Sequence, residues 1–165
     1  MGMSLQTEGM EEISRVLNQL QDKAEGVATA AVFAGAGVVA DAMSAAAGHI
    51  VAEPFHYLAR PDITGTKRYA SLEEKAAVQG KTGIAKFNKS GSEVDTVVGF
   101  TGNAGYVTIG GKQRPVDAIA RSINSGTSFM HKQPVFRKAI SQSRGSAQAA
   151  MVDTAEQRFE QIING

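Results

Sequence analysis

Three stretches carry residue types whose spacing suggests chemistry. His49, Glu53 and His56 are four and seven residues apart, which on an unbroken helix would place them on one face able to hold a metal ion. Pro54 disfavours helix at Glu53, so two exposed histidines near a loop are expected instead. Gly80-Lys81-Thr82 looks like the end of a phosphate-binding loop. That loop needs a glycine five residues earlier, where Lys75 stands, and no strand leads into it. Ala34-Gly35-Ala36-Gly37 lies inside a helical pattern rather than after a strand, so it makes no dinucleotide signature. His131 is isolated, no Gly-x-Ser-x-Gly elbow occurs, and Asn88-Lys89-Ser90 matches a glycosylation sequon only in form. Lys112 and Arg114, between Gly111 and Pro115, form a small basic loop. It matters only if several copies line a channel that carries DNA. No catalytic residue, cofactor or metal is expected, and the chain does not read as an enzyme.

The composition is that of a soluble globular protein. The 165 residues are 42% hydrophobic and 20% charged, with a net charge of +1 and no cysteine. That excludes a disulfide framework, thiolate metal sites and a global field drawing the protein to nucleic acid. Residues 1–9 show no basic stretch followed by an apolar one, so no signal peptide is expected. Residues 26–40 are uncharged but bounded by Glu25 and Asp41. They fall short of the ~20 residues a bilayer demands, which predicts a buried helix and no membrane partner.

The elements follow from periodicity. A short strand is expected over 4–7 and a turn at Glu8-Gly9. Met10, Ile13, Leu17, Leu20, Ala24, Val27, Ala31, Ala34, Val38 and Ala42 recur at steps of three and four, one face of a long helix. Its first half is amphipathic and should lie on the surface. Its second half is small and apolar all round and should be wrapped by neighbours. Gly35 and Gly37 in such a helix imply a close backbone approach, within the subunit or between subunits.

Pro54, Pro61, Asp62, Gly65 and Thr66 make 48–68 irregular. Ser71-Leu72-Glu73-Glu74 has the form of a capping box starting a helix over 72–79. The stretch 48–79 is therefore a loop with its own short helix, read as a projection. Residues 84–87 and 94–100 predict a hairpin about a turn at 88–91, with a second turn at 102–105 and a third strand at 106–109. Residues 116–123 are ambiguous, with Pro115 and Asp117 suiting a helix start. Residues 125–133 form a loop, and Pro134 opens a last helix. Its apolar stripe is Phe136, Ile140, Ala147, Met151, Ala155, Phe159 and Ile162, with a kink expected at Gly145. The fold class is α+β: a single domain over 1–165, with long N-terminal and C-terminal helices packed on a small antiparallel sheet and a loop/short-helix insertion.

Several of these pieces carry a resemblance. Ser125-Gly126-Thr127, a short loop, then Gln133-Pro134-Val135-Phe136-Arg137-Lys138-Ala139 resemble the tail-component family of long-tailed phages, the neck and tail-completion proteins. That family shows an aromatic residue before Gly-Thr, then Pro-Phe-Leu-Arg-Pro-Ala opening the last helix. Residues 5–20 (LQTEGMEEISRVLNQL), Thr82-Gly83 and residues 96–99 (TVVG) fit its other motifs in order. Here Ser125 replaces the aromatic residue, Phe136 comes one place later and Lys138 replaces the second proline, while 48–79 is not covered.

The resemblance implies a virion protein made in the bacterial cytoplasm. It would form a six-fold or twelve-fold ring at the neck, joining the tail to the DNA-filled head. Its partners would be copies of itself, head-closure or connector proteins, and tail-terminator or tail-tube proteins, with non-specific DNA contact in the channel. The alternatives are a tail terminator capping the tube, or a membrane-active, host-directed protein built on the Ala/Gly helix. The expected subunit contact comprises Phe129 and Met130 in the loop with Pro134, Phe136 and Arg137 at the helix start. Phe129 and Met130 either form an exposed apolar anchor or fold back onto the sheet. Arg137 either pairs with a neighbour's carboxylate or is a core-side or solvated arginine, and Lys112 and Arg114 would face the channel.

Overall fold

The computed structural model describes residues 10–54, 67–90, 93–100 and 105–164. The expected strand at 4–7, His56, the turn residues Pro61 to Thr66 and most of the turn at 102–105 lie outside them. The fold is α+β, with a long N-terminal helix, a long C-terminal helix and small two-stranded sheets.

Helix α1 (Met10–Gly48) runs unbroken through its Ala/Gly half. Helix α4 (Val135–Asn164) packs antiparallel against it over most of its length and passes unbroken through Gly145. The approach is close at Gly35. A Cβ placed there would lie 2.6 Å from Met151 Cγ and 3.1 Å from the Ala147 carbonyl oxygen. This glycine therefore serves packing within the subunit. Gly37 has nothing within 4 Å of its would-be Cβ.

The second half of α1 is not wrapped all round as the sequence suggested. Val27, Ala31, Ala36, Met43, Ala46 and Ala47 are buried, while Phe33 is 57% exposed and Asp41, Ser44 and Ala45 face out. One neighbouring helix covers one side of a cylinder, and here α4 is that neighbour.

Between the long helices come β1 (Ala52–Glu53), β2 (Ala70–Ser71) and helix α2 (Leu72–Val78). The parallel pairing of β1 with β2 was not foreseen. The capping box is complete: Glu74 N–H donates to Ser71 Oγ at 3.0 Å, and Ser71 N–H to Glu74 Oε2 at 2.9 Å. The expected projection is corrected here. Ala77 and Val78 of α2 are buried in the core, so α2 is part of the body. Lys75 fastens it further, its Nζ donating to the Gly48 and Ile50 carbonyls at 2.9 and 2.8 Å. These lie at the end of α1, where helix carbonyls lack partners.

Strand β3 (Gly83–Ile84) pairs with β6 (Val98–Gly99), and inside them β4 (Asn88–Ser90) pairs with β5 (Glu93–Asp95), both antiparallel. The turn expected at 88–91 is thus largely strand, because Asn88, Lys89 and Ser90 face Asp95, Val94 and Glu93. Strands β7 (Tyr106–Ile109) and β8 (Lys112–Pro115) form a hairpin across Gly110 and Gly111. Both glycines have positive φ, 57° and 77°, as a tight hairpin turn demands. Lys112 and Arg114 accordingly lie on a strand rather than in a loop.

Helix α3 (Val116–Ser125) resolves the ambiguous stretch, with Pro115 at its N-cap. Val116, Ile119, Ala120 and Ile123 face a core shared with Met43, Ala47, Ile50, Val78, Ile109 and Phe136. Phe100 meets Phe136 edge-on, with ring centroids 4.9 Å apart.

Candidate functional site

The loop over 126–134 is built from its glycine outward. Gly126 ends α3 with φ 75°, and its N–H reaches the Ser122 carbonyl at 2.9 Å. A Cβ there would meet Lys132 at 3.0 Å, so only glycine lets the chain turn back this tightly. Thr127 N–H donates to the Met130 carbonyl at 3.1 Å. The loop then runs beside Arg68 as a single parallel bridge: Arg68 N–H donates to the Phe129 carbonyl at 3.0 Å, and His131 N–H to the Arg68 carbonyl at 2.8 Å. The Tyr69 ring stacks on His131 at 4.6 Å.

Gln133 clamps the end of the loop. Its Oε1 accepts from Val51 N–H at 2.8 Å and its Nε2 donates to the Val51 carbonyl at 3.0 Å. A side-chain amide carries both a donor and an acceptor, so it mimics a strand partner. Arg137 N–H, in the first turn of α4, donates to Asn124 Oδ1 at 3.2 Å, satisfying one of the free amides of the helix start.

This arrangement decides where the expected contact residues stand. Met130 is wholly buried and Phe136 is 4% exposed. Both are core residues, so the exposed apolar pair is not present. The loop folds back because its backbone bonds to residue 68 carry Met130 inward. Phe129 packs half-buried against the core, Pro134 is half-buried, and Arg137 is exposed. The surface that this site offers is therefore Phe129, Pro134, Arg137 and the Tyr69–His131 stack.

Behind the loop lies a charged cluster that sequence reasoning missed. Arg68 grips Glu74 with two hydrogen bonds, 2.6 and 2.7 Å, and donates to the Tyr69 carbonyl at 2.8 Å. Arg68 and Glu74 are 5% and 1% exposed. Arg114 adds a third bond to Glu74 Oε1 at 2.9 Å from a one-third exposed position. Burial pushes the Glu74 carboxyl upward. Hydrogen bonds from Arg68 and the Ser71 backbone, with the charges of Arg68 and Arg114, outweigh that and hold it below the usual carboxylate range. The cluster ties β2, α2, β8 and the loop together. Arg114 is thereby committed to Glu74, leaving Lys112 as the exposed member of the basic pair. The capping-box spacing predicted the Glu74 bond to Ser71, but nothing in the sequence pairs Glu74 with arginines six and forty positions away.

The other chemical candidates stay apart. Lys75 caps α1, Gly35 packs on α4, His49 lies exposed just beyond α1, Glu53 is in β1, and His56 is outside the described residues. Among the described residues no group of three metal-binding side chains comes together. No family model matches this chain, and no curated protein or solved structure gives a significant match to it.

Proposed function

We propose that this chain is a structural virion subunit of the phage neck, assembling as a six-fold or twelve-fold ring that joins the tail to the DNA-filled head. One observation carries the need for partners. The α1–α4 pair leaves large apolar side chains uncovered along its length: Leu17 is 59% exposed, Val152 54%, Phe159 38% and Ile163 55%. A subunit that finishes its burial by assembly has use for such a surface. The order of motifs shared with neck and tail-completion proteins supplies the kind of partner: copies of itself, then the connector and tail-tube proteins. In this reading Lys112 is a channel-facing cation touching DNA without sequence preference, and no cofactor or chemistry is called for.

Mass photometry of the purified protein, alone and with tail tubes, tests the proposal. Ring masses are expected, and phage lacking the protein should accumulate unjoined heads and tails. A monomer under both conditions, or normal joining without the protein, overturns it.

A membrane-active role is the second reading, favoured by one observation. Within Ser14–Gly48, α1 has a window long and apolar enough to cross a bilayer, and 28% of it is buried inside the subunit. A core helix meets the same criterion. Flotation with liposomes decides: protein rising with the vesicles favours the membrane, and protein left behind as rings favours the neck.

A further inference from the structure

Helix α4 is divided by charge. Residues 135–150 carry Arg137, Lys138 and Arg144 and no acid, while residues 151–164 carry Asp153, Glu156 and Glu160 against Arg158 alone. This runs against the helix dipole, which favours acids near the N-terminus and bases near the C-terminus. No acid stands in the first turn and no base in the last. The division therefore does not serve the helix itself, and it suits a contact between its two ends in different molecules.

Each end also has the shape for such a contact. At the acidic end Val152, Phe159 and Ile163 are spaced by seven and four, so they share one side of the helix. All three are exposed, with Glu156 and Glu160 beside them. Ala147, Met151 and Ala155 face a different side, toward α1. At the basic end an open groove of about 470 Å³ lies between the last turns of α1 and the first turns of α4. Ala42, Ala45, Val135 and Ala139 line it with Lys138 and His49, and no acid does. Phe159 cannot fill the groove of its own chain. Twenty residues of helix separate it from Ala139, roughly 30 Å.

We infer that the acidic end of α4 from a second copy of this chain docks in this groove, with Phe159 between the helices and Glu160 against Lys138. The inference rests on the ring reading and names its contact. Such a head-to-tail contact uses two different surfaces of one subunit, so it propagates from copy to copy and closes where its rotation divides a full turn.

Charge reversal tests the docking. Lys138→Glu and Glu160→Lys, both at exposed positions, should each weaken self-association at least about tenfold, because like charges then face one another. The double variant should return to within about threefold of the wild type, as coupled partners do. Unchanged melting temperatures would show that each variant folds. Wild-type protein that stays monomeric with and without tail tubes overturns the ring reading and the docking together. Assembling wild type with indifferent single variants, or a double variant as weak as either single, overturns the docking alone.

A second measurement does not depend on charge. The chain has no cysteine, so Ala45→Cys with Phe159→Cys gives one pair, too distant to close within a chain. Added oxidant should produce a ladder of linked multimers. Absence of crosslinks in assembled protein, or a product that stops at the dimer, overturns head-to-tail docking.

Discussion

Gln133 and Val51 are joined by two hydrogen bonds, 2.8 and 3.0 Å, across 82 positions of sequence. This clamp ties the chain just beyond α1 to the residue just before Pro134. Gln133→Ala removes both bonds and leaves the Val51 backbone without its partner. The expected cost is about 1–2 kcal/mol, read as a lower urea midpoint with an unchanged slope.

Glu74→Gln should cost more. It leaves Arg68, 5% exposed, as a buried charge without its counter-ion, a loss of about 3–5 kcal/mol. The same carboxylate sets an acid dependence. Its folded pKa is depressed, so its contribution is full above the unfolded value and is lost as pH falls through the folded one. Wild-type melting temperature should therefore drop more steeply than that of Glu74→Gln as pH falls below the ordinary carboxylate range. Parallel curves would show that the cluster contributes no such linkage.

Two glycines of one helix should respond in opposite directions. Gly35→Leu forces a side chain into Met151 and Ala147 and should destabilise by roughly 1–3 kcal/mol. Gly37→Ala enters open space and should stabilise by about 1 kcal/mol, the helix-propensity difference. Thermal melting of the pair checks both signs.

The loop before α4 separates folding from assembly. Met130→Ser, at a wholly buried position, should lose about 2–5 kcal/mol. Arg137→Ala, exposed, should change stability by less than about 0.5 kcal/mol. If Arg137 meets a neighbour's carboxylate, phage carrying that variant yield fewer joined particles while the purified protein melts as the wild type.

What the sequence disclosed follows the range of each interaction. Helix α1 was legible because its spacing recurs at ten apolar positions from Met10 to Ala42. The Ser71 capping box was legible because it is complete within four residues, whereas the strand after Gly110-Gly111 was not, because its Lys, Gln, Arg and Pro show no apolar alternation. The sequence left Met130 between an exposed anchor and a folded-back residue because two backbone bonds to residue 68 decide it, and main-chain pairing leaves no mark in side-chain types. Arg114 was expected to face a channel because its side-chain partner Glu74 is forty positions away, beyond the reach of local spacing. The division of charge along α4 was present in the sequence all along. It gained meaning only once the groove beside Lys138 was in view.

The pairing of α1 with α4 also bears on synthesis. They are the first and last helices described, and 116 residues separate the end of α1 from that of α4. At about 5–20 residues per second, a ribosome needs roughly 6–23 s to cover that stretch. Throughout that interval the Ala/Gly face of α1 has emerged without the helix that covers it. Nascent chains in this window are the natural clients of a hydrophobic-binding chaperone, and crowded polysomes are where α1 segments from neighbouring chains would meet first.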